Sequence, residues 1–178
     1  WQLWQILRKP LYKAGLLFSK AGDGKVVAVD GDYERAWSGA TALSLLTAVK
    51  YYSATGDTQF NDDIQFWKNG LYALHVPGRG FREAPHYLTE SAYVNGEAWL
   101  ALAEYLRVFP GDLEARNFLQ ELDNYLIEEY GDKADTRFSS WGTMAATVRA
   151  RTTGDAKFVN FVLKVAALNL EQREKKVA

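Results

Sequence analysis

The sequence predicts an all-α fold: three helical hairpins in two layers, with a small β-hairpin toward the N-terminus. Three observations carry this. Gly-Asp recurs in "TGDTQF" (55–60), "PGDLEA" (110–115) and "TGDAKF" (153–158), each time between two segments of helical period. The segments after these turns repeat apolar residues at helical spacing. Phe60, Ile64, Trp67, Leu71 and Leu74 form one apolar stripe, as do Phe118, Leu119, Leu122, Tyr125 and Leu126, and again Phe158, Phe161, Val162, Val165 and Leu168. The segments before the turns are rich in Ala, Gly and Thr, whereas those after them carry charge along one side, for example Asp62, Asp63 and Lys68, or Glu114, Glu121 and Glu128. Small residues suit a crowded inner layer and the charged sides suit an outer layer facing water.

Along the chain, "WQLWQILRK" at the start reads as a short amphipathic helix. In "AGLLFSKAGDGKVVAVDGD" the alternation around Gly-Asp-Gly predicts a β-hairpin with strands at 16–19 and 25–29. Residues 1–35 form this N-terminal part of a single domain spanning 1–178, and the hairpins occupy 36–75, 89–130 and 138–171. Gly39, Gly96 and Gly142 are read as the heads of the three inner helices. In each Gly-Asp turn the glycine suits a left-handed helix terminus and the aspartate suits the N-cap of the next helix. The outer-to-inner connections are long, at about 76–89 and 131–138, and long loops gathered at one end of a rigid scaffold are where function concentrates.

Composition narrows the function. A net charge of -1 with no extended basic run lacks the electrostatic footprint of a nucleic-acid binder. No apolar stretch reaches about 18 residues, so a membrane partner is not expected. The chain has no cysteine and only His75 and His86, which disfavours disulfides, thiolate chemistry and a His/Cys metal site. No cofactor is called for, since there is no phosphate-cradling Gly-rich loop and no nucleophile elbow. Asp30, Asp32 and Glu34 are spaced like a calcium turn, but no full ligand loop follows them, and turn and capping roles are expected. The chain opens at Trp1 without Met and reads as a mature product or as a piece of something longer.

"GATAL" with "AVKYYSATGD", followed by "GEAWLAL" and a second Gly-Asp, resembles the (α/α) toroids of the six-hairpin glycosidase type over about residues 36–171. That resemblance implies a partial toroid, since six hairpins close such a ring and this chain supplies three. It also implies a glycan or polysaccharide partner and a site in the central funnel at the N-terminal ends of the inner helices. A homo-oligomer, or a missing partner segment completing the toroid, is the corresponding expectation for the open ends.

The candidate catalytic residues are Glu97, Glu83 and Glu90. Glu97 is placed in the first turn of its helix, where the dipole alone favours a carboxylate by about 0.3–1 kcal/mol. Glycoside chemistry needs two carboxyl groups about 5–9.5 Å apart, which Glu97 supplies together with Glu83 or Glu90. On one continuous helix Glu90 and Glu97 would share a face about 10 Å apart, while Thr89-Glu90-Ser91 equally fits N-cap material. Substrate-binding candidates are Trp37, Tyr93 and Trp141 for stacking on sugars, with Asn95, Arg82, His86 and Arg137 for polar contacts. Arg137 pairs either an acidic sugar or a neighbouring carboxylate, His86 is either a structural or a substrate-contacting histidine, and Trp99 is assigned to the core. The alternative function is a non-catalytic helical-repeat module for binding or oligomerisation.

Overall fold

The computed structural model describes residues 16–177 of the chain; the helix expected over 1–9 lies outside them. Strands β1 (Leu16–Ala21) and β2 (Gly24–Val29) form the antiparallel hairpin, closed by a two-residue turn whose first residue, Gly22, has φ 56°. Gly-first two-residue turns require that positive φ. A short 3₁₀ turn, Tyr33–Arg35, leads into six helices: α1 (Ser38–Thr55), α2 (Asn61–Leu74), α3 (Ala92–Val108), α4 (Leu113–Tyr130), α5 (Thr136–Thr153) and α6 (Ala156–Val177). The chain is therefore mostly helical with one small sheet, as the turn and stripe pattern predicts.

α3 packs against both α1 and α5, while α2, α4 and α6 each pack on the inner helix that precedes them. The three inner helices run parallel. Near the start of α1, Gly39 abuts Glu97 of α3; further along, Lys50 donates to Glu104 at 2.5 Å and Arg107 donates to Ser53 at 3.2 Å. Tyr93 and Trp141 meet edge to face at 6.3 Å at the start of α3 and α5, and Arg107 and Thr152 line one cleft near their ends. The central position of α3 explains its composition: every residue from Val94 to Leu106 is buried, and only Ala and Gly among them let two neighbours approach at once.

The stripes read from the sequence are the core. Ile64, Trp67, Leu71 and Leu74 of α2, Leu119, Leu122 and Leu126 of α4, and Phe158, Phe161 and Val165 of α6 are all buried. The β-hairpin lies on α2, where a Cβ on either Gly24 or Gly70 would strike the other segment's backbone. On the far side, α6 exposes Val159, Leu163 and Leu170.

Four details depart from the sequence reading. The glycines are not helix heads: Gly39, Gly96 and Gly142 are the second, fifth and seventh residues of their helices. Gly39 and Gly96 lie in the seams α1–α3 and α3–α5, whereas Gly142 sits beneath the ring of Phe138 in its own helix. Second, Gly56 and Gly154 adopt the left-handed C-terminal conformation, with φ 69° and 71°, but Gly111 does not. Pro110 disfavours the helical conformation at Phe109, so α3 ends at Val108 without a glycine cap. Third, Phe60 ends a 3₁₀ turn before α2 rather than standing within it. Fourth, Lys68 is buried instead of facing water; its ammonium donates to Asp112 at 2.9 Å and joins the first hairpin to the N-cap of α4. All three Gly-Asp aspartates do cap, with Asp57, Asp112 and Asp155 each accepting from a backbone N–H at 2.9 Å.

Candidate functional site at the N-terminal ends of the inner helices

Glu97 is the sixth residue of α3, one turn deeper than the first-turn placement read from the sequence, because α3 is capped by Ser91 and starts four residues before Gly96, the head read from the sequence. It points into the α1–α3 seam at Gly39, where an added Cβ would overlap its carboxylate. The residue is 4% exposed. No described residue donates a hydrogen bond or lends an ion pair to its carboxyl. Burial without compensation destabilises the charged form, and the Glu97 carboxyl is pushed up to about 7 from an ordinary 4.5. At neutral pH it can therefore give or take a proton.

Glu90 is a different case. It lies before α3 and pairs through its backbone with Arg82, so the continuous helix that would have aligned it with Glu97 does not exist. Its carboxylate accepts from the Tyr125 hydroxyl at 2.9 Å, from Gly80 N–H at 3.1 Å and from Asn95 Nδ2 at 3.1 Å, with Arg79 3.9 Å away. Asn95 is fully buried, accepts from Phe81 N–H at 2.6 Å, and donates also to Tyr130 at 3.1 Å. Glu90 and Asn95 together clasp the 76–91 connection onto α3 and α4, and a side chain on Gly80 would collide with Asn95. Tyr125 and Tyr130 carry this clasp from the outer helix. The sequence reading places Tyr125 in an apolar stripe and does not single out Tyr130; only their hydroxyl groups could have signalled more.

Glu83 is exposed, and no described residue pairs its carboxylate. Its carbonyl accepts from Ser38 N–H at 3.0 Å, which fixes it beside the start of α1 and hence beside Gly39. Glu83, Glu90, Tyr93 and Arg137 line one polar groove of about 810 Å³ between the 78–93 segment and the end of α4. Arg137 is committed to the carboxylate that caps its own helix, donating to Asp135 at 3.1 and 2.7 Å. His86 is exposed, donates from Nδ1 to the Glu34 carbonyl at 2.8 Å and stacks on Tyr87. Arg82 is half-buried, and its backbone bridges to Glu90.

The aromatic candidates gather at the same end. Trp37 is the N-cap residue of α1 and is 52% exposed; Tyr93 is 49% exposed and reaches Trp141, whose Cβ sits over Gly96. Trp99 is core: its indole N–H donates to Asp123 at 2.7 Å. Asp32 caps the 3₁₀ turn and Asp30 pairs with Arg35 at 3.2 Å, which gives the acidic turn its structural work. The described residues hold no group of three or more His, Asp and Glu placed to bind a metal ion, and none of their helices is long and apolar enough to cross a membrane.

Comparison of the chain with protein-family models, with curated proteins and with solved structures finds no match. The functional reading therefore stands on the residues themselves.

Proposed function

We propose that the chain is a carbohydrate-active protein of α/α-toroid type that binds and acts on a polysaccharide at the N-terminal ends of its inner helices, with Glu97 as the proton-carrying group. The observation behind this is the buried, unpartnered Glu97 carboxyl, raised to about 7, beside a seam glycine. Half-exposed Trp37 and Tyr93, with Trp141 behind Tyr93, offer flat faces of the kind that stack on sugar rings. Of the two loop acids, Glu83 is the one available as the second carboxyl group, since it adjoins the start of α1 and is unpaired among the described residues. Glu90 is occupied by the clasp.

The test is turnover of a polysaccharide panel, followed by reducing-end release, with wild type, Glu97→Gln and Glu83→Gln. Loss of a positioned acid lowers the rate by about 10²–10⁴-fold. A Glu97→Gln protein as active as wild type ends the acid/base role. The saturation of Glu90, which removes one of the two pairings the sequence offered, favours a second reading: a non-catalytic helical-repeat module that holds a glycan. Binding by wild type without turnover is the result that selects it.

A further inference from the structure

The N-terminus of α1 leaves donors open. Trp37 stands at the N-cap and its side chain makes no capping bond. The N–H of Ser38 donates to Glu83 and that of Thr41 to Trp37, but those of Gly39 and Ala40 meet no acceptor among the described residues. α1 is 18 residues long, so these amides stand at the positive end of a full helix dipole, where an anion is favoured. The side chain aimed at this end is Glu97, which is 4% exposed and itself without a partner among the described residues. Two backbone donors on half-buried residues and one buried, unpaired carboxyl therefore lie at the same place. One occupant satisfies all three.

We infer that this is the binding site for the carboxylate of an acidic sugar, received by the N–H groups of Gly39 and Ala40 and by the carboxyl O–H of Glu97, with the half-exposed Trp37 at the N-cap of the same helix. The inference rests on the glycan reading above and adds the substrate class. A neutral sugar hydroxyl uses the same donors but gains nothing from the helix dipole. Dianions such as phosphate are disfavoured, since they draw the proton off Glu97 and then repel it. Gly39 is what keeps the site open, because any side chain there occupies the space over the Glu97 carboxyl.

Burial raises Glu97 to about 7, so the acid form that donates is present below neutrality and disappears above it. The charged groups around it are few. On α1, Lys50 is held by Glu104; on α3, Glu104 and Arg107 pair with each other, and Tyr93 stands one turn earlier; the loop contributes Glu83; and α5 presents the uncharged Trp141.

The test is calorimetric titration of the whole chain with oligogalacturonate and with a neutral galactan oligomer of equal length, at pH 5.5 and 8.5. Wild type, Glu97→Gln and Gly39→Ala are compared, with circular dichroism reporting the fold. At pH 5.5 wild type should prefer the acidic oligomer by about tenfold, the worth of one charge-assisted hydrogen bond. That preference should shrink at pH 8.5. Glu97→Gln, whose amide still donates, should keep one preference at both pH values, and folded Gly39→Ala should lose it. Equal binding of acidic and neutral oligomers by wild type at pH 5.5 overturns the carboxylate site and leaves the glycan reading standing. A preference that keeps its pH dependence in Glu97→Gln also overturns it. Binding of neither oligomer ends both. If Gly39→Ala does not fold, the pH profile of Glu97→Gln decides.

Discussion

The two ends of the inner layer treat buried charge in opposite ways. At the turn end every buried ionic group is answered. Arg149 donates to Asp123 through Nε at 2.9 Å and Nη2 at 2.6 Å, Asp123 also accepts from Trp99, and the guanidinium lies 5.3 Å from the Phe158 ring centre. Glu104 takes both Lys50 and Arg107. Burial alone would push the Asp112 carboxyl up, but the Ala115 N–H, the Tyr105 hydroxyl and the Lys68 ammonium outweigh it and hold it down to about 2. At the opposite end, Glu97 is buried just as completely and is answered by none of the described residues, next to exposed Trp37 and Tyr93. Charges at the turn end tie α3, α4 and α5, and the first two hairpins, to one another. The free carboxyl at the loop end weakens the fold, and such local costs collect where a ligand is bound or a proton is moved.

Given that contrast, breaking the turn end should cost the most. Arg149→Ala leaves Asp123, which is 0% exposed, without its counter-charge, and should lower the unfolding free energy in urea by about 3–5 kcal/mol. At the loop end the sign reverses. Glu97 binds its proton with a value of about 7 folded against 4.5 ordinarily. Between those values the folded chain keeps a proton that the unfolded chain releases, so this contribution is complete below 4.5 and is lost as pH rises toward 7. Glu97→Gln should therefore match wild type near pH 4 and exceed it near pH 8 by up to about 3 kcal/mol; equal urea midpoints for the two proteins at pH 8 would refute the buried-carboxyl account. Gly96→Ala, which drives a methyl into Trp141 Cβ at 2.7 Å and toward the Phe138 carbonyl at 3.3 Å, should cost about 1–3 kcal/mol in the same assay. Smallest is Asp155→Ala, which removes the bond to Lys157 N–H at the start of α6; it should cost about 1 kcal/mol and lower the thermal midpoint slightly, leaving the inner layer unchanged.

How much of this was legible beforehand differs by level. The hairpins, their turns and the layer order follow from local rules: a 3.6-residue apolar period, aspartate caps, and small residues where helices crowd. The exceptions have local causes too, since Pro110 ended α3 before Gly111 could cap it. The site was legible only in outline. Glu97, Trp37, Tyr93 and Trp141 lie at the N-terminal ends of the inner helices, but residue type does not reveal that Glu90 and Asn95 bond to each other or that Arg137 pairs with Asp135. Nothing in the sequence marks Asp123 and Arg149, because a charged residue within a helix reads as solvated until its neighbours are known.

Sequence by itself determined which segments are helices and which faces of them are apolar, because those properties depend on residues within a few positions of one another. Only the tertiary structure decided which carboxylates are spent and which is free. That depends on what lies across a seam from chain positions as far apart as Gly39 and Glu97, or Glu90 and Tyr125. The desolvation that lifts Glu97 arises from helices α1 and α3 closing over it, and no local pattern records that closure.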